Sequence, residues 1–140
     1  MNDLQIEETL RSTGLKKTSV RVAVLKHLSD EIKALSQPEL ETLFEGRENR
    51  VTVYRVLRDL VEKGLIHKVY DVEGTARFAL CRSCAEHQHH DEHLHFNCIE
   101  CKNVICLDDV NVDIPSLPTG FKVKNIHFTI EGICEKCNKI

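Results

Sequence analysis

The sequence predicts an α+β chain, with a winged helix-turn-helix in residues 1–80 and a small metal-binding unit in residues 81–140. Three observations carry this reading. Helical periodicities fill the N-terminal half and then give way to two short strands around a turn. All seven cysteines and six of the eight histidines lie beyond residue 70. Residues 1–70 carry 12 basic and 11 acidic side chains, whereas residues 71–140 carry 7 and 11.

The elements follow in order. A first helix runs from about Asp3 to Thr13, and Gly14 stops it. Thr18 or Ser19 caps a second, whose apolar positions Val20, Val24, Leu25 and Leu28 share a face. A third opens on a capping box of Ser36 and Glu39, with Pro38 in the first turn and Leu35 stapled onto Leu40. In the fourth, Val53, Val56, Leu57, Leu60 and Val61 recur at i, i+3, i+4, i+7 and i+8, and Gly64 ends it. Leu65–Tyr70 and Thr75–Leu80 read as strands flanking the turn Asp71–Gly74.

Composition narrows the function classes. The chain has 140 residues, a net charge of −3, 41% apolar residues and no Trp. No stretch reaches the roughly 20 apolar residues of a membrane-crossing helix. The first ten residues are acidic and mixed, unlike a signal peptide, so a cytoplasmic location is expected. An odd cysteine count in a reducing compartment points to thiolate metal ligands rather than disulfides.

Local charge decides contact with a phosphate backbone, whatever the net charge. The stretch Arg11–His27 holds Arg11, Lys16, Lys17, Arg21 and Lys26 without an acid. The outer face of the fourth helix offers Arg50, Thr52, Tyr54, Arg55 and Arg58. Arg forks onto guanine, and Tyr and Thr reach phosphates or thymine methyls. A solvated polar face is the plain alternative, and for Arg58 the two readings balance. For Tyr54 and Arg55 DNA contact is expected, because an exposed Tyr beside an Arg in the first turns has no core role.

Cys98-x-x-Cys101 and Cys134-x-x-Cys137 form two hooks separated by 32 residues. Together they can present four thiolates tetrahedrally, which suits a structural Zn²⁺. A second constellation surrounds the first hook: Cys81, Cys84, His87, His89, His90, Asp91, Glu92, His93, His95 and Cys106. His93-Leu94-His95 has strand spacing, which turns both imidazoles to one face. Cys106 sits in an apolar run and alone would read as a small core thiol. Beside a histidine pair and two further thiols it is assigned as a ligand. His87, His89 and His90 read as a polar loop, His27 and His67 as ordinary surface or wing residues. His127 is left open.

At these residues the chain resembles the ferric uptake regulator (Fur) superfamily over essentially its full length. The matching stretches are Gly14-Leu-Lys-Lys-Thr18 through Arg21, Val51-Thr-Val-Tyr-Arg-Val-Leu57, Gly64-Leu-Ile66, His93-x-His95-x-x-Cys98-x-x-Cys101 and Gly132-Ile-Cys134-x-x-Cys137. The resemblance implies a homodimeric, metal-responsive transcription factor. Its N-terminal winged helix binds an operator in double-stranded DNA, and its small C-terminal α/β domain dimerises. Lys16 matches a minor-groove basic residue, Tyr54 and Arg55 match recognition-helix contacts, and Arg21 and Thr52 fall in the same matched stretches. Cys98, Cys101, Cys134 and Cys137 match the structural zinc site.

The departures are specific. Ala34 stands where the family's sensing site takes a histidine, and Cys106 where it takes an acid. His93 and His95 match its histidine pair. Cys81 resembles a cysteine of the zinc-uptake (Zur) branch, with Cys84 as runner-up for that role. Leu94 and Ile126 stand at ligand positions of a further site in some members, so that site is not expected. Pro115 and Pro118 predict a loop or a very short helix over Asp108–Gly120. Two thiolates and two imidazoles form a soft tetrahedral set that favours Zn²⁺ over Fe²⁺ or Mn²⁺. The expected function is a zinc-sensing repressor carrying one structural and one regulatory Zn²⁺ per subunit.

An iron- or peroxide-responsive regulator of the same family is the near alternative. A zinc store or redox protein is the distant one, and it leaves the fourth helix unexplained. An enzyme is not expected. His90-Asp91-Glu92 resembles part of a zinc deaminase signature but lacks the Pro-Cys that would follow.

Overall fold

The computed structural model describes residues 1–80, 94–107, 109–110, 112–124 and 126–139. Cys81, Cys84, His87, His89, His90 and His93 lie outside the described residues.

The N-terminal half forms as its pattern dictates. Helix α1 (Asp3–Ser12) is closed at its start by a reciprocal capping box of Asn2 and Gln5, and α2 (Ser19–Asp30) is capped by Thr18. A two-residue strand β1 (Leu35–Ser36) leads into the short α3 (Gln37–Glu41) and a 3₁₀ turn, Thr42–Phe44. Helix α4 (Arg50–Glu62) is capped by Asn49, and Gly64 follows at φ 78°, a left-handed conformation that a Cβ would strain. Strands β2 (Ile66–Tyr70) and β3 (Ala76–Leu80) form the wing.

Ile6, Leu10, Val24, Leu25, Leu40, Val53, Leu57 and Leu60 join one buried core beneath the helices. Truncating Leu60, which is fully buried, to Ala would cost about 2–5 kcal/mol. The capping box expected at Ser36 is only half made. Ser36 Oγ accepts from the Glu39 amide at 3.4 Å, but the Glu39 carboxylate turns to Arg77 Nη1 at 3.0 Å. A buried guanidinium is a stronger partner for the carboxylate than a single amide.

Two three-stranded sheets follow, ordered β1-β3-β2 and β5-β4-β6. The second consists of β4 (Leu94–Cys98), β5 (Val104–Leu107) and β6 (Phe128–Gly132). Strand β5 runs antiparallel and β6 parallel to the central β4. Gly132 lies opposite Cys98, and a Cβ there would meet the Phe96 ring at 3.0 Å. Across residues 109–120 the described positions form no helix, as the prolines predict.

The sheets meet at the wing. Ala34, Val69, Ala79 and Val104 form a small buried cluster that Cys106 packs against. Asn97 Nδ2 donates to the Tyr70 carbonyl at 3.1 Å, tying β4 to β2.

Candidate metal centres and nucleic-acid face

The first centre is built from two hooks. Cys98 ends β4, and Cys101 follows in the tight turn leading to β5. Cys134 and Cys137 follow β6, in a turn closed by the Cys137 amide on the Cys134 carbonyl at 3.0 Å. Parallel pairing of β4 with β6 sets the hooks side by side. One ligand atom from each cysteine then lies within 4.8 Å of all the others.

Ligands about 2.3 Å from a tetrahedral zinc leave sulfurs about 3.8 Å apart. Cys101 and Cys134 Sγ are 3.8 Å apart. The amides of Cys101 and Cys134 donate toward the Cys98 sulfur and pull its pKa down to about 6. Cys137 is pushed up to about 12, first by its hydrogen bond with the Cys134 thiol and then by burial. Thiols crowded in this way cannot all ionise together unless a cation joins them, so the donor set fits a divalent metal.

The second centre draws on both sheets. His95 on β4 lies directly opposite Cys106 on β5, which makes them a cross-strand pair. The third member is His67, from wing strand β2. It is not the ordinary wing residue expected from sequence: it is buried, with its ring turned to the second sheet. His67 Nε2 lies 3.4 Å from His95 Nε2 and 3.4 Å from Cys106 Sγ. Of these separations, the one between the nitrogens is long for a good hydrogen bond, while the one to sulfur is an ordinary hydrogen-bond distance. They fall near the tetrahedral edges that zinc imposes, about 3.3 Å for two imidazoles and about 3.6 Å for imidazole and thiolate. Soft donors already at ligand spacing fit zinc.

Beside this centre a cavity of about 300 Å³ is lined by His67, Tyr70, His95, Asn97 and His127. His67 lies 28 residues from His95 and 39 from Cys106, so no spacing motif could have found it. The one available signal was indirect: with Ala34 where the resemblance expects a histidine ligand, a donor would have to come from elsewhere. Ala34 is fully buried against Val104 and offers no ligand.

Helix α4 exposes Arg50, Tyr54, Arg55 and Arg58, with Thr52 half-buried in its first turn. Tyr54 is 55% exposed, which leaves its ring no packing role. Lys16 is exposed in the loop before α2. Arg21, expected with this set, is turned inward instead. Its Nη1 donates to the Lys16 carbonyl at 2.8 Å, and its Nη2 pairs with Asp59 on α4 at 3.1 Å. An Asp within reach and a half-buried position make it a strut between α2 and α4 that also holds the Lys16 loop.

The chain is 32% identical to the ferric uptake regulation protein of Bacillus subtilis (strain 168), over 96% of this chain and 93% of that one. It is 28% identical to the peroxide operon regulator of the same organism, over 94% and 90%. In fold it resembles a zinc uptake regulator whose structure was solved with zinc and DNA. The TM-score is 0.66 at 24% identity, covering 96% of this chain and 91% of that one. The model of the ferric uptake regulator family matches residues 12–131. With that span, this chain belongs to the ferric uptake regulator family, metal-responsive transcription regulators rather than enzymes.

Proposed function

We propose that the chain is a zinc-sensing, DNA-binding repressor, acting as a homodimer. The observation that supports this most directly is the convergence of His67, His95 and Cys106 at ligand spacing. Cys98, Cys101, Cys134 and Cys137 would hold the structural zinc. His67, His95 and Cys106 would hold the regulatory one, completed from His93, Cys81 or Cys84. Residues 1–80 would bind DNA through Lys16, Thr52, Tyr54 and Arg55, and residues 81–140 would dimerise. Among its described residues the second centre has no carboxylate. An iron or peroxide sensor would draw on harder, oxygen-rich ligands.

Zinc, if bound there, would tie these donors to one another. The rest is done by the chain. His67 moves with β2 and the wing, and His95 and Cys106 move with the second sheet. Holding the three together fixes the wing against that sheet. It thereby biases the two recognition helices of a dimer toward one spacing, which is all that a metal switch requires.

The test is a zinc titration of chelator-treated protein, read by metal content and by binding to operator DNA. Zinc should tighten DNA binding. Cys106→Ala and His67→Ala should each keep the structural zinc. Each should weaken the second zinc by more than the roughly 10–100-fold typical of losing an outer-shell partner. DNA binding that ignores zinc, or a second zinc unaffected by both changes, rules the reading out.

A further inference from the structure

We infer that the extended strap Lys33–Ser36, locked by Arg77, is the element that passes occupancy of the His67–His95–Cys106 centre to the DNA-reading helices. The inference rests on the zinc-sensing reading above and names the coupling element for that site.

Four consecutive residues are shared between the two sheets. Lys33 forms an antiparallel bridge with Ile105, the neighbour of Cys106 on β5. The Ala34 amide donates to the Val104 carbonyl at 2.8 Å, the shortest backbone bond between the sheets among the described residues. The next two residues change partner: Leu35 pairs with Phe78 and Ser36 with Arg77, both on wing strand β3. Ser36 then caps α3. The chain passes from the metal-bearing sheet, through the wing sheet, into the helix-turn-helix with no loop between.

Arg77 locks the far end. It is buried, and its Nε pairs with Asp71 of the wing turn at 2.9 Å while its Nη1 pairs with Glu39 on α3 at 3.0 Å. The planar fork of Arg holds two carboxylates on two elements at once, which Lys cannot do with one point charge. Helix α3 is tied onward to α4, because Gln37 Nε2 donates to the Arg50 carbonyl at 3.2 Å, in the first turn of the recognition helix.

A displacement of β5 around Cys106 is therefore carried by backbone pairing to position 34, by β pairing to positions 35–36, and by Arg77 and Gln37 to α4. Packed elements of this kind shift as units rather than deforming continuously. At Ala34 the family's side-chain ligand is missing, and here the backbone of the same residue makes the connection instead.

Two variants separate coupling from binding. Ala34→Pro removes the amide that reaches Val104 while keeping the carbonyl. Arg77→Lys keeps the charge but loses the fork. Zinc affinity without DNA, DNA affinity with and without zinc, and far-UV circular dichroism are measured on the full-length dimer. In the parent, zinc should tighten DNA binding by a factor in the roughly 5–150-fold range of allosteric coupling. In both folded variants the second zinc should bind as in the parent without DNA, and that factor should fall toward one. By reciprocity, DNA should then no longer tighten zinc binding. If Ala34→Pro does not fold, Arg77→Lys decides alone. A folded variant that keeps the parental factor overturns the strap. A second zinc lost along with the factor also overturns it, since the strap would then build the site rather than transmit from it. A parent whose DNA binding ignores zinc overturns the zinc-sensing reading itself.

Discussion

The two candidate centres use similar donors but are built in opposite ways. All four cysteines of the first come from one sheet and its flanking turns, and two local CxxC hooks bring them together. The three described donors of the second come from both sheets, with His67 reaching across from the wing. A metal held wholly within one unit stabilises that unit and does little else. A metal held by two units adds binding free energy only when they are together, so its occupancy is a statement about their arrangement. That difference in topology is the ground on which the first centre is proposed as structural and the second as sensing.

The sharpest way to break that comparison is Cys98→Ser. Cys98 is fully buried at the junction of β4 and the first hook. Binding energies of structural zinc run to about 10–16 kcal/mol in small zinc modules, and that energy is folding energy. One zinc per subunit should be lost, with the ordered β5-β4-β6 sheet, by metal analysis and circular dichroism. A variant that stays folded with full zinc content would remove the structural assignment.

A smaller effect tests the ion pair inside the wing, away from both candidate centres. Burial alone would raise the pKa of Asp71, but the Arg77 guanidinium and the amides of Thr75 and Glu73 hold it below its ordinary 3.8. The sign follows. The ionised carboxylate stabilises the fold at every pH above 3.8, and that contribution is lost as pH falls through the lower folded value. Asp71→Ala leaves the buried Arg77 short of a partner and should cost about 3–5 kcal/mol at neutral pH, read by denaturant unfolding. The cost should shrink below pH 3.8, and a cost independent of pH would show that Asp71 only packs.

The DNA side gives effects of about 1–3 kcal/mol. Arg55→Ala should lose that much operator affinity and relax sequence preference if Arg55 reads a base edge. Lys16→Ala should weaken binding evenly across sequences and lower the salt slope by about 1. Neither should alter the zinc content of either centre. If both bind operator as the parent does, the DNA face lies elsewhere.

The finest test is Cys106→Asp, which keeps an anionic donor but hardens it. Structural zinc should be untouched, while Fe²⁺ and Mn²⁺ compete better against zinc at the second centre, by competitive metal titration. An unchanged preference would return Cys106 to a packing role beside Val104.

Much of the molecule was legible in the residues because the deciding forces are local. Val53, Val56, Leu57 and Leu60 can bury together only as a helix, Thr18 satisfies an amide three residues on, and a CxxC hook is a short turn whatever surrounds it. That the two hooks share one centre was an expectation from valence, and the β4–β6 pairing brings them together. Three features were decided by tertiary structure alone. His67 became a candidate ligand because β2 lies against β4, Arg21 turned inward because Asp59 was within reach, and Glu39 gave up its cap for Arg77. Each depends on partners 28 to 39 residues apart, where no periodicity of the chain relates one position to the other. The sequence by itself determined the helices, the wing and the two CxxC hooks, since hydrophobic period, capping and chelate spacing act within a few residues, while the parallel pairing of β4 with β6 brought the hooks together. Which side chains close the second centre, and through what strap it reaches α4, was set by how the two sheets pack, a choice made by burial and shape across the whole fold.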